Sequence, residues 1–164
     1  MPGNKIVHRL IKKLEWNNKI IEKSGDARIY KDALLLTPGS WTDAITKSPV
    51  EYSIEELDRA ANIWTTNFLD IDHSWGTLDR IGYVKNPYSL KGKIYADLHI
   101  YPVTQRAKDT IALIDSGLIN QLSVELASED KWDGVNQKRL ATNIEFLGCA
   151  IVCFGACHES RIVK

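Results

Sequence analysis

Two stretches of the chain alternate apolar and polar residues without a break. In KIYADLHI, Ile94, Ala96, Leu98 and Ile100 fall on one face of a strand, and Tyr95, Asp97 and His99 on the other. In NQLSVEL, Leu122, Val124 and Leu126 face one way, and Gln121, Ser123 and Glu125 the other. A third stretch, ATNIEFLGCAIVCFGA, is apolar almost throughout, as a strand covered on both faces would be. ARIYKDALLLTPGSW reads as one or two strands ending at the turn residues Pro38 and Gly39. LDIDHSWGTLDRIGYVKN reads as a strand interrupted at Trp75 and Gly76 that resumes from Ile81 to Val84.

Helical spacing occurs twice. In SIEELDRAANIWTTNF, Ser53 and Glu56 form a capping box, and Ile54, Leu57, Ala61, Trp64 and Phe68 recur at steps of three and four as a core-facing stripe. TQRAKDTIALIDSG is a second helix, with Thr104 as cap, a stripe of Ala107, Ile111 and Ile114, and Gly117 as terminator. ASEDKWDGVNQKR is polar around Asp133 and Gly134, an exposed loop or hairpin tip. Residues 1–24 have no clean period and are compatible with a strand, a short helix or a partly ordered arm. Several strands with two helices between them indicate an α+β fold, a mostly antiparallel sheet or small β-barrel with helices outside. Residues 1–24 belong to the same unit as 25–164, which form a single domain.

Length and charge narrow the function. At 164 residues the chain buries one substantial core without needing disulfides or a metal. Lys plus Arg and Asp plus Glu each total 21, so no net charge advertises a polyanionic partner, and the basic run HRLIKKLEW is the only local candidate for nucleic acid. No apolar run reaches the ~18 residues that span a bilayer, and no leader pattern precedes a small-residue cleavage site, so a soluble intracellular protein is expected. Cys149, Cys153 and Cys157 are an odd number crowded near one end, a poor disulfide framework. CFGACH, with His158, has soft zinc ligands but lacks paired CxxC spacing, so structural thiols are expected instead.

Of the four histidines, His8, His99 and His158 lie in the basic arm, on an outward strand position and beside the cysteines. His73 is different: it ends an apolar strand, flanked by Asp70, Asp72 and Ser74, where an imidazole could serve as a general base. Asp70, Asp72 and His73 also suggest a divalent-metal cluster, although no second motif completes the shell. Ser123 is a nucleophile only if a base such as His73 takes its proton, which requires their strands to be neighbours.

DIDHSWGTLDRIGYVKN, KIYADLHI, the helix running into LIDSGLINQLSVEL, and the closing EFLGCAIVCFGA follow one another in an order that resembles the prohead proteases of tailed bacteriophages and related archaeal viruses, with the herpesvirus assemblins as distant relatives. The resemblance runs from about Leu69 to Ala156, a little over half the chain. It implies a β-barrel wrapped by helices, typically dimeric. It also implies a serine endopeptidase that cleaves capsid and scaffold proteins, and often itself, inside the assembling procapsid in the host cytoplasm, with no cofactor. By position it assigns Ser123 as nucleophile and His73 as base. The family's third member, a carboxylate or histidine just before the apolar end of the last strand, would fall on Gly148, which can orient nothing. The nearest acid, Glu145, is taken as the third member if a bulge turns it inward; Asp72, Glu125 or a water-assisted Ser–His pair are the alternatives. The turn FGA matches the oxyanion hole, with the backbone N–H groups of Gly155 and Ala156 as donors. Two other functions stay open: a non-catalytic capsid- or scaffold-associated structural protein of the same fold, and a metal-dependent hydrolase using Asp70, Asp72 and His73.

Overall fold

The computed structural model describes residues 6–13, 22–24, 27–42 and 47–153, the first two segments as backbone only. Among the described residues the elements run, in chain order, β1 (Ile6–Lys13), β2 (Glu22–Ser24), β3 (Ala27–Leu36), β4 (Gly39–Thr42), β5 (Pro49–Tyr52), α1 (Ile54–Ala60), β6 (Trp64–Ile71), β7 (Arg80–Leu90), β8 (Lys93–Ile100), α2 (Gln105–Asp115), β9 (Gln121–Asp133) and β10 (Lys138–Val152).

One sheet takes the order β1-β9-β10-β6-β7-β8-β3-β2, with β5 on the first part of β10 and β4 on β5. Most pairs are antiparallel, as expected, but β10 runs parallel to both β5 and β6, so the sheet is mixed. It is a strand-dominated α+β fold, curled into a half-barrel. No helix among the described residues is long and apolar enough to cross a membrane.

The alternating segments place their apolar faces as read. Ile94, Ala96, Leu98 and Ile100 of β8 are all fully buried, as are Leu122, Val124 and Leu126 of β9, and together they line the concave core. α2 begins where Thr104 Oγ1 accepts from the Ala107 N–H at 3.1 Å and ends before Gly117, whose φ of +76° suits glycine. β1 settles the open N-terminal segment at 6–13 as a strand, with Ile11 opposite Ser123 in β9. The polar stretch after Leu126 is strand down to Asp133. Only 134–137 form the hairpin tip, where the Asp133 carboxylate accepts from the backbone N–H groups of Val135 and Asn136.

The first helix is shorter than its spacing suggests. It stops at Ala60, and Trp64 and Phe68 lie on β6. Ile63, Thr65 and Thr66 are β-branched, and a parallel partner in β10 satisfies the backbone there, which outweighs the helical period. Ser53 Oγ accepts from the Glu56 N–H at 3.1 Å, the first half of the box. The second half is replaced: the Glu56 carboxylate accepts from the Ile144 N–H at 2.8 Å and pairs with Arg59, tying α1 to β10.

Candidate active site

Register across β9, β10 and β6 builds the floor of the site. Ser123 of β9 lies opposite Ala150 of β10, which lies beside Asp70 of β6; one step along, Glu125 lies opposite Gly148, which lies beside Phe68. Residues level with one another across a sheet share a face, so Ser123, Glu125, Asp70 and Phe68 converge over β10. The outer strands are two spacings apart, roughly 9.5 Å. Their side chains meet because the middle strand presents only glycine and alanine on that face.

At Gly148 the lack of a side chain is a packing requirement. A Cβ there would sit 2.7 Å from the Phe68 ring and 2.8 Å from the Phe68 carbonyl oxygen. We expect Gly148→Ala to cost about 1–3 kcal/mol by overpacking, read as a lower denaturant midpoint at unchanged slope; an unchanged midpoint would show that Phe68 yields freely.

His73 enters from the tight turn that follows β6. Asp72, His73 and Trp75 all have φ between +52° and +57°, a left-handed run that side chains resist at about 1–2 kcal/mol per residue. The turn is held in place from several sides. The Asp72 N–H donates to the Ile151 carbonyl of β10 at 2.9 Å, the Ser74 N–H to the Ile71 carbonyl at 3.1 Å, and the Ile71 N–H to the Asp79 carbonyl at 3.1 Å. Trp75 packs on Phe68 with ring centroids 5.8 Å apart, and Arg106 of α2 forms an ion pair with Asp79. Strain localised in this way and held by surrounding structure marks functional turns.

Held so, the imidazole bridges two residues of β9. Its Nε2 lies 2.6 Å from Ser123 Oγ and its Nδ1 lies against Glu125 Oε1. Ser123 and Glu125 are fully buried, and the His73 side chain is 9% exposed. Since a carboxylate only accepts, Nδ1 carries the hydrogen, leaving Nε2 to accept from the serine hydroxyl.

The structure thus brings Ser123 and His73 together and puts Glu125, not Glu145, on the other imidazole nitrogen. Register shifts do occur between Thr142 and Glu145 and between Phe146 and Gly148, but they leave Glu145 opposite Ala127, with its carboxylate accepting from Thr65 Oγ1 at 3.4 Å. The signal that would have found Glu125 is the alternation itself, because the residue two along from a serine on a strand shares its face. Asp72 does not join the relay; it lines a cleft with Ser74, Asp79, Arg106 and Asp109. Gly155 and Ala156 lie outside the described residues, as do Cys157 and His158.

Asp70 completes the cluster. It is 1% exposed, and neither oxygen receives a well-aligned hydrogen bond, although the backbone N–H groups of Trp75 and His73 are near enough to favour its ionised form. Burial first and the Glu125 charge second push its carboxyl up to about 6, against the opposing pull of His73. Ligand atoms of Asp70, His73 and Glu125 all lie within 4.8 Å of one another, so Glu125 rather than Asp72 joins Asp70 and His73 in this cluster. Cys149, buried beneath, has its thiol pushed far up by burial and by Asp70 and Glu125, which leaves it inert.

No protein-family model and no curated protein matches the sequence. Among solved structures, the bacteriophage T4 capsid assembly protease, gp21, matches with a TM-score of 0.62 at 10% identity, over 89% of this chain and 97% of that one. At that identity the likeness is one of fold, and this chain is built on the fold of a phage capsid assembly protease.

Proposed function

We propose that this chain is a capsid maturation serine endopeptidase, with Ser123 as nucleophile, His73 as general base and Glu125 as the group that orients the base. The observation that carries the reading is the unbroken contact from Ser123 Oγ through both imidazole nitrogens to a buried carboxylate. The fold shared with a capsid assembly protease supports capsid proteins as substrates; scaffold protein and the chain itself are proposed as further ones.

In the reaction, Oγ attacks the scissile carbonyl carbon while its proton passes to Nε2. Glu125 stabilises the imidazolium and keeps its Nδ1–H pointed away from the serine. The tetrahedral intermediate collapses as Nε2 returns the proton to the leaving amine, giving an acyl-enzyme on Ser123. Water, deprotonated by the same nitrogen, then attacks the ester, and Oγ recovers its proton. Because Ser123 has no exposed surface, neighbouring chain must move for a substrate to enter.

A second reading, a metal-dependent hydrolase, has the Asp70, His73 and Glu125 trio in its favour. One experiment separates the two. The virus's capsid and scaffold proteins are co-expressed with this chain as wild type or Ser123→Ala, with and without a chelator, and their intact masses are measured. The serine protease reading expects trimming by the wild type only, with no loss of it on adding chelator. Equal trimming by both forms, abolished by chelator, would install the metal hydrolase. Absence of trimming throughout would leave a structural protein.

A further inference from the structure

We infer that the cluster of Asp70, His73 and Glu125 is a binding site for one divalent transition-metal ion of the Zn²⁺ type, and that the bound ion switches the serine chemistry off. The binding half stands on geometry alone; the inhibitory half rests on the protease reading above.

Three observations carry it. First, one imidazole and two carboxylates, from the end of β6, the turn after it and β9, bring their ligand atoms within 4.8 Å of one another. Ligands of a tetrahedral zinc ion, each ~2.0–2.2 Å from the metal, are about 3.4 Å apart, so the three groups have only to draw closer to close the shell. Second, among the described residues neither oxygen of Asp70 nor Oε2 of Glu125 has a well-aligned hydrogen-bond partner, while the two residues are 1% and 0% exposed. A buried carboxylate oxygen without a well-aligned donor is costly, and here both carboxylates belong to one cluster. A divalent cation would satisfy them and compensate the two neighbouring carboxylates at once. Third, the donor set selects the ion: an imidazole among the ligands favours Zn²⁺ or Co²⁺ over Ca²⁺ and Mg²⁺, which prefer oxygen shells. Three protein ligands also leave a fourth position for water.

The inhibition follows from which nitrogen the ion takes. Nδ1 is the nitrogen that faces Glu125, and Nε2 the one that faces Ser123. Coordination through Nδ1 uses the lone pair of that nitrogen, so the single N–H proton of the neutral imidazole moves to Nε2. Nε2 then points an N–H at Ser123 Oγ and has no lone pair to accept the hydroxyl proton, so the nucleophile is not activated. Removing the ion restores the Nδ1–H tautomer, and with it the base.

The test uses the Ser123→Ala chain for binding, so that self-cleavage does not interfere and Ser123, which is not a ligand, drops out. Titrated with ZnCl₂ after chelator treatment, it should take up one ion per chain. With Co²⁺ it should give the visible bands of a four-coordinate nitrogen and oxygen site. Adding Asp70→Asn should weaken binding by at least about 100-fold, since even residues behind a ligand are worth 10–100-fold, whereas Asp72→Asn should leave it unchanged. If Asp70→Asn fails to fold, Glu125→Gln takes its place, and the Co²⁺ spectrum needs no variant. No uptake, uptake indifferent to both substitutions, or a sulfur-to-cobalt charge-transfer band placing the ion on cysteine would each overturn the site.

On the wild type, ZnCl₂ should suppress cleavage and a chelator restore it; stimulation by zinc would overturn the switch. Zinc uptake by a chain that never cleaves would sink the protease reading and leave the site standing. Cleavage without zinc uptake would do the reverse.

Discussion

Ser123→Ala and His73→Ala are each expected to lower the rate of peptide cleavage by about 10⁶-fold, and the two together by no more than either alone, because nucleophile and base act as one unit. Glu125→Gln should cost less, on the order of 10⁴-fold. The reason lies in the tautomer. The Glu125 carboxylate only accepts, so His73 must hold its hydrogen on Nδ1 and keep Nε2 open to Ser123 Oγ, 2.6 Å away. An amide in its place can turn an N–H toward Nδ1, driving the proton to Nε2, where the base is disabled. Glu145→Gln tests the rival assignment: its carboxylate bonds to Thr65, and the substitution should leave the rate unchanged. Single-turnover rates on a peptide spanning a capsid cleavage junction measure all five variants. A large loss with Glu145→Gln and none with Glu125→Gln would sink the relay as built here.

These residues differ in how far the sequence alone could reach them. Alternation exposes a strand's faces without tertiary knowledge, which is why the buried set of KIYADLHI and the placement of Ser123 beside Glu125 on one face were both readable. The meeting of Ser123 with His73 was not. It depends on β10 inserting between β9 and β6, a pairing between segments far apart in sequence, and on Gly148 and Ala150 leaving space above that strand. The facing of Glu145 was not legible for a related reason. Its facing is set by register shifts on either side of it, and a one-residue slip changes a side chain's face without leaving a mark in the local pattern. The end of α1 shows the same competition in another form: Trp64 and Phe68 fit a helical stripe with Leu57 and Ala61, and equally fit a strand of period two, so the choice fell to a parallel partner in β10. Resemblance in motif order supplied the Ser–His pairing that periodicity could not.

Asp70→Asn should make the chelator-treated protein more stable at pH 8 by about 3 kcal/mol, and should remove a decline in stability between pH 4 and pH 7. Burial and the Glu125 charge hold this carboxyl at about 6, against 3.8 for the ordinary group, with His73 pulling the other way and Cys149 packed alongside. A folded-state value above the unfolded one means that the native chain binds the proton more tightly across that window. Stability is therefore greatest, as far as this group is concerned, below pH 4, and falls as pH rises through 6, where the native state must bear a buried charge. A shift of about two units corresponds to about 3 kcal/mol, at 1.36 kcal/mol per unit. Asparagine keeps the shape, carries no charge and titrates in neither state. Urea unfolding of both forms at pH 4, 6 and 8 reads the difference, and parallel curves would mean that Asp70 finds compensation on folding. The sign also bears on why such a residue stays: an acid that weakens the fold near neutrality, beside a general base, is better accounted for by something it does there than by the stability of the sheet.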